Sequence, residues 1–245
     1  MKFKKTMSKE ITFRALNKYD HDIFLKPYPA SSNIPDWFKD ATPYNVGPQS
    51  PEGKNLVLEN KVLNSSFKKC TPMLDSLTAG YIIPLWSDVL VTQSYGFPRI
   101  TWRTGRDIFE VHGEGAGLVT TPFGYQNYVF RYLNTWIPIT PPGYSCLITS
   151  PFGHKNLPFH AITGIVDTDK SRLDLSNPGW IKNGFEGVIE KGTPIVQVIP
   201  FKRDNWKAEF DYYEDSEFAK VQERTMNSTI VNHYIKNVWS KKSFK

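Results

Sequence analysis

Two cysteines, Cys70 and Cys146, in 245 residues are too few for a disulfide framework or a cysteine-based zinc site, and both read as buried thiols. Long hydrophobic runs are also missing. No apolar stretch approaches the roughly 20 residues that a helix needs to cross a bilayer, and the opening MKFKKTMSKEITF lacks the continuous apolar segment of a signal peptide. A cytoplasmic protein with no membrane partner is the expectation. The chain shows no Gly-rich phosphate loop, Ser-His-Asp signature, Cys-His nucleophile pattern or zinc motif. A basic binding face is wanting too. The net charge is +6, but Lys2, Lys4 and Lys5 at one end and Lys241, Lys242 and Lys245 at the other account for all of it. The excess therefore reads as solvated basic tails, and nucleic acid is not supported as a partner beyond them.

Aromatic residues, by contrast, are plentiful: 16 Phe, 12 Tyr and 7 Trp supply large packing units, each burying on the order of 150 to 250 Å². The 18 Pro and 16 Gly are spread along the chain, which suggests many short elements separated by turns. β-Branched and aromatic runs recur at Phe97 to Trp102, Phe109 to Val111 and Tyr128 to Leu133. Clearer strands follow at Ser145 to Thr149, His160 to Val166, Gly187 to Glu190 and Ile195 to Phe201, divided by Pro-Gly, Asn-Pro-Gly and Lys-Gly turns. There is no βαβ alternation and no internal repeat. The pattern predicts an all-β single domain spanning 1–245: an extended arm and loop over 1–55, a β core over 56–212, and a C-terminal helix and basic tail over 213–245. In the arm, Trp37 and Phe38 are expected anchors after a short helical turn from Pro35, and 42–55 reads as a surface loop. Leu74 reads as a turn leading into a strand. Phe218, Val221, Met226, Ile230, Val231, Tyr234, Ile235 and Val238 recur at helical spacing. They predict an amphipathic helix, broken near Asn227, packed on the barrel or on a neighbouring subunit.

An ordered set of motifs runs through the core. Thr78-Ala79-Gly80-Tyr81 precedes Ile83-Pro84. Pro141-Pro142-Gly143-Tyr144 leads through a strand to Ser150-Pro151-Phe152-Gly153. Gly164-Ile165-Val166-Asp167-Thr168-Asp169 and Glu190-Lys191-Gly192-Thr193-Pro194-Ile195-Val196-Gln197 follow. In order and spacing this set resembles the trimeric dUTPase core and, more distantly, dCTP deaminase. The resemblance implies a distorted β-barrel or jelly roll of the dUTPase-like β-clip type with a C-terminal helix, and sites completed between the subunits of a homotrimer. It also implies a nucleotide or nucleotide-like ligand, with a magnesium ion where phosphates are held. By the same resemblance Asp167 falls at the sugar-reading, water-orienting aspartate and Gln197 at the phosphate-side glutamine, while Asp169, Gly153 and Tyr81 are the neighbouring ligand-binding positions. The segments are also similar to an uncharacterised family of bacterial viruses, through Lys69-Cys70-Thr71-Pro72, Trp136 with Thr140 to Ser145, and Gly192 to Pro200. That likeness implies a phage-encoded protein of the host cytoplasm.

The departures from the dUTPase pattern bear on hydrolysis. Lys170 stands where the stacking tyrosine is expected, Pro151-Phe152-Gly153 replaces Arg-Ser-Gly, and Ile82 takes the place of the first motif's aspartate, so that Asp75 or Asp88 would have to compensate. No glycine follows Gly192, so the Gly-rich closing arm is missing. Binding of a nucleotide-like ligand, with or without hydrolysis, is the expectation, with a non-enzymatic viral assembly or interaction protein as the alternative. A further reading joins His112 and Glu114 to His154 or His160 in the two-histidine, one-carboxylate set of a jelly-roll iron and 2-oxoglutarate oxygenase, although the glycines around His112 favour a turn there. Trp136 and Trp180 are expected core anchors.

Overall fold

The computed structural model describes residues 9–47, 56–58, 61–114, 120–171, 176–230 and 234–245, of which 56–58, 61–63, 112–114 and 224–230 are described by backbone alone. The first basic cluster and most of the expected 42–55 loop lie outside the described residues. The chain is predominantly β. Its strands are β1 (Thr12–Ala15), β2 (Tyr28–Pro29), β3 (Tyr44–Val46), β4 (Leu56–Leu58), β5 (Lys61–Ser65), β6 (Tyr81–Pro84), β7 (Val89–Ser94), β8 (Phe97–Trp102) and β9 (Phe109–Glu114). Then come β10 (Tyr125–Leu133), β11 (Trp136–Ile139), β12 (Tyr144–Thr149), β13 (Phe159–Ala161), β14 (Gly164–Val166), β15 (Ser176–Lys182), β16 (Gly187–Ile189) and β17 (Pro194–Lys202). The α-helices are α1 (Lys18–Ile23), α2 (Asp36–Lys39), α3 (Thr71–Thr78) and α4 (Asp215–Ile230). No helix is long and apolar enough to cross a membrane among the described residues. Two compact units result: Met1–Asn33 with Gly80–Arg203 and Lys245, and Ile34–Ala79 with Asp204–Phe244.

The first unit holds four antiparallel sheets, ordered β14-β12-β17-β6-β2, β13-β15-β10-β9, β16-β7-β8 and β1-β11. None closes on itself among the described residues, so the expected barrel is an assembly of open sheets. Sequence periodicity shows why they stack. β7 alternates buried Val89 and Val91 with outward Leu90 and Thr92, whereas the central β17 is buried on both faces from Ile195 to Val198. These residues pack with Ile83, Leu85, Ile108, Phe130, Tyr132, Phe159 and Ile181 in one core. Each such side chain contributes on the order of 1.5 to 3 kcal/mol. The rings are interlocked: Phe109 meets Tyr132 at 5.5 Å and Phe159 at 5.3 Å between centroids. Trp136 and Trp180 are buried, as their expected role requires.

The second unit carries the sheet β3-β5-β4 with α2, α3 and α4. Phe38 and Leu77 are buried in it, while Trp37 is only partly covered. Lys68 donates to the carbonyls of Phe38 and Lys39 at 2.7 and 2.8 Å, fixing the end of α2. Asp75 of α3 accepts from the Trp239 indole at 3.0 Å and from Lys242 at 2.6 Å. One lysine of the supposed solvated tail is therefore tied down.

Several sequence expectations are corrected. Asn177-Pro178-Gly179 is no turn but the middle of β15, between β13 and β10. Gly179 belongs there because a Cβ would come within 2.4 Å of the His160 carbonyl oxygen and 2.5 Å of the Phe159 ring. The single strand expected over His160 to Val166 is two, β13 and β14, in different sheets. Leu74 lies inside α3, whose first turn accommodates Pro72. His112 to Glu114 extend β9 instead of turning. Cys70 is half-buried, not buried like Cys146. The break expected near Asn227 is absent, α4 running continuously through it, and a π-turn spans Tyr234–Val238. Phe218, Ile235 and Val238 of the apolar stripe remain exposed.

Candidate functional site

The β12–β14 pairing places Cys146 opposite Val166, so Asp167, one residue past β14, faces Ser145, which donates to its carboxylate at 2.7 Å. Thr168 turns inward and is fully buried, with its hydroxyl 2.7 Å from that of Thr140 and donating to Cys146 Sγ at 3.3 Å. That inward anchor presents Asp167 and Asp169 together, and Arg203, just beyond β17, meets both. Its Nη1 lies 3.1 Å from Asp167 Oδ1 and donates to Asp169 Oδ1 at 2.8 Å, while Nη2 bonds Asp169 Oδ2. The amide of Gly143, in the Pro-Pro-Gly turn at φ +85°, donates to Asp169 at 2.8 Å.

The electrostatic consequence is direct. The Ser145 hydrogen bond, seconded by Arg203, holds Asp167 below the usual carboxylate range. The Arg203 hydrogen bond, seconded by the Gly143 amide, holds Asp169 well below it. Both are anions at neutral pH and weak proton acceptors. Only 5% of the Asp169 side chain is exposed, so it is committed to the guanidinium.

Gln197 lies on β17 opposite Thr149 and Ile82 and is 1% exposed. Its Oε1 accepts from the Phe152 amide at 2.8 Å, holding the loop after β12 in which Gly153 adopts φ +76°. Ser145 and Thr149 mark the places of Asp167 and Gln197 along β12, four residues or about 13 Å apart. Tyr81 begins β6 opposite Val198, and its hydroxyl donates to the Lys245 carbonyl at 3.1 Å. The structure thus gathers Asp167 with Asp169, and Gln197 with the Gly153 loop, at separate places within one chain. Asp75 serves the second unit, as described above. Asp88 accepts from the Lys191 amide at 2.6 Å.

Of the oxygenase set, His154 Nε2 lies 3.0 Å from the Asn33 carbonyl oxygen. His160 stacks on Trp180 at 6.3 Å and meets Tyr125 at 5.1 Å, and burial pushes its pKa down. The side chains of His112 and Glu114 lie outside the described residues. Among the described residues, no group of three or more His, Cys, Asp or Glu side chains is disposed to hold a metal.

Sequence reasoning missed a groove of about 410 Å³ lined by Ser87, Asp88, Val89, Leu90, Thr101, Trp102, Arg103, Thr104 and Val188. Its floor is a cross-strand row: Val188 pairs with Leu90 and Leu90 with Thr101, all on the outward face of the β16-β7-β8 sheet. Trp102 and the bend that follows form one wall, the Ser87-Asp88 turn another. Arg103 is exposed and makes no hydrogen bond or ion pair among the described residues. The row exists only once β16 pairs with β7, the 98 residues from Val188 back to Leu90 being bridged by register, so no local motif announces it. No family model matches the chain, and neither a curated protein nor a solved structure matches it.

Proposed function

We propose that this chain is a binding protein for nucleotide-like ligands, small anions bearing a planar ring, built on a dUTPase-like β-clip core and operating without hydrolysis by its hairpin aspartates. The groove beside β7, β8 and β16 is the site. The observation that carries this reading is Arg103, exposed and without a hydrogen bond or ion pair among the described residues, beside the apolar floor of Leu90 and Val188: the floor offers a surface for a planar ring, the guanidinium a fork for phosphate or carboxylate, and Ser87, Thr101 and Thr104 supply hydroxyls. The volume lies within the roughly 300 to 1,000 Å³ of small-molecule sites. A magnesium ion would arrive on the ligand's phosphates. The commitment of Asp167 and Asp169 to Arg203 supports binding without turnover, since neither offers a base near neutral pH. The motif resemblance adds a trimer and a bacteriophage source to the proposal.

Thermal shift against a panel of deoxy-, ribo- and cyclic nucleotides, with and without magnesium, tests it. A ligand at a hundred times its Kd stabilises by about 2.7 kcal/mol, roughly 5 to 10 °C for a chain of this size. Arg103→Ala should abolish the shift and Asp167→Ala should keep it. A shift lost only in Asp167→Ala would return the site to the hairpin, and no shift with any nucleotide would end the ligand reading. An assembly or interaction protein is the second reading, favoured by the exposed rings that follow Arg203.

A further inference from the structure

Residues 205–213, Asn-Trp-Lys-Ala-Glu-Phe-Asp-Tyr-Tyr, belong to no helix or strand. Trp206 is 90% exposed, Phe210 97% and Tyr212 78%. Alternate side chains of an extended segment point to opposite faces. Drawn out as a strand, the segment would carry Trp206, Ala208, Phe210 and Tyr212 on one face and Asn205, Lys207, Glu209, Asp211 and Tyr213 on the other. That is the pattern of a strand with one face to bury, yet these residues make no backbone–backbone hydrogen bond among the described residues. The amide of Tyr212 is taken by the Asp211 side chain and Lys207 pairs with Glu209. An aromatic strand without a sheet is costly in water, since its rings and its ladder of amides both lack partners.

We infer that this segment is an exchange arm, which adds as an extra strand to the free edge of β8 in a second copy of the chain. Charge argues for the second copy. Residues 204–217 hold six carboxylates and one lysine, and the whole chain stands at +6, so the rest of the chain carries +11. The acidic arm is complementary to its own chain's remainder. Edge inspection argues for β8. Of the strands that end their sheets, only β8 and β9 reach six residues. β9 bears Glu110 and Glu114, which would repel the arm, whereas β8 bears Arg99, followed by Arg103, and no carboxylate.

The register completes the match. Ile100 and Trp102 stand opposite buried Val91 and Val89, so they lie on the inward face and are partly buried against the core, while Arg99 lies outward and makes no hydrogen bond or ion pair among the described residues. A strand beside β8 can set its rings next to Ile100 and Trp102 and its carboxylates beside Arg99. In area, three rings at about 150 to 250 Å² each approach the ~800 Å² that each partner contributes to a stable interface once strand pairing is added. Reciprocal exchange closes the assembly by symmetry. Arg203, clamped by Asp167 and Asp169, fixes the root of the arm two residues before it starts. The inference does not depend on the groove binding any ligand.

Sedimentation equilibrium of the full chain, from about 1 to 100 μM, is the test. The wild type should run as a closed oligomer, and Trp206→Ala/Phe210→Ala/Tyr212→Ala as a monomer with native circular dichroism. Should the triple variant misfold, charge reversal at exposed positions decides. Arg99→Glu should weaken association at least tenfold, and combination with Glu209→Arg and Asp211→Arg should restore it. A wild type that is monomeric at the top concentration overturns the inference, as does an oligomer whose mass and affinity are untouched by Arg99→Glu. Restoration by the swapped charges is the outcome that an incidental aromatic association would not produce.

Discussion

Replacing Gly80 by alanine probes the junction of β6 with β17. Gly80 sits at φ +69°, and a Cβ built on it would lie 2.0 Å from the Val198 carbonyl oxygen and 2.9 Å from its carbonyl carbon. Both are backbone atoms of a central strand, so no side-chain rotation relieves the contact. The left-handed backbone alone costs a non-glycine residue about 1 to 2 kcal/mol, and forcing the strands apart adds about 1 to 3 kcal/mol by analogy with overpacked cores. Gly80→Ala should therefore lose about 2 to 5 kcal/mol, a large part of the ~5 to 15 kcal/mol available to a folded domain. Gly143→Ala is the control, because φ there is +85° but no atom lies within 4 Å of the added carbon; it should lose only the first component. Urea unfolding followed by tryptophan fluorescence measures both. If the two variants lose equal stability, or if Gly80→Ala stays within about 0.5 kcal/mol of wild type, the steric argument is wrong.

Three further outcomes are expected. Asp169 has its native pKa lowered by Arg203, so the stability it contributes is fully present above the unfolded value near 3.9 and is lost as pH falls through the lowered native value. Urea midpoints should decline below about pH 4 in the wild type and decline less in Asp169→Asn. The hydroxyl of Tyr132 is buried and donates to the Pro84 carbonyl at 3.0 Å. Tyr132→Phe should cost about 1 to 3 kcal/mol by leaving that carbonyl unpartnered, again read from urea midpoints. Gln197→Leu removes the acceptor for the Phe152 amide and should speed hydrogen exchange at Phe152 while β17 stays protected.

Local pattern carried much of the β core. The β-branched and aromatic runs around β8, β10, β12 and β17 alternate or stay apolar according to how many faces they bury, and those periods are visible in the chain itself. Where turn chemistry was the guide, it misled at Asn177-Pro178-Gly179. Pro178 is tolerated inside a sheet at the end of the β13 pairing, where its carbonyl still accepts from the Ile162 amide at 2.7 Å and only the donor half of that pair is missing. The resemblance motifs drew attention to Asp167, Asp169 and Gln197. Their engagement with Arg203 and the Phe152 amide was not legible, because Arg203 lies 34 residues from Asp169 and is brought there by the β12–β17 pairing. The groove and the amphipathic arm escaped for opposite reasons: the former is assembled from separate stretches of chain, whereas the latter's alternation is plain in the sequence but falls within the 56–212 that reads as β core, where a sheet would already bury it.

The passage from β13 to β14 takes only Ile162 and Thr163, yet it moves the chain from the four-stranded sheet to the five-stranded one. Thr163 is 2.8 Å from Thr149 through their hydroxyl oxygens, and the Ile162 amide still donates to Pro178 at 2.7 Å. The crossing point is thus held from both sides. A link this short has no slack: two residues cannot let one sheet peel away while the other keeps its ladder. The two sheets are therefore one mechanical element, and amides in β12 and β15 should exchange with a common opening free energy rather than in separate steps. Pulling on either sheet would load the other through eight consecutive residues, Phe159 to Val166.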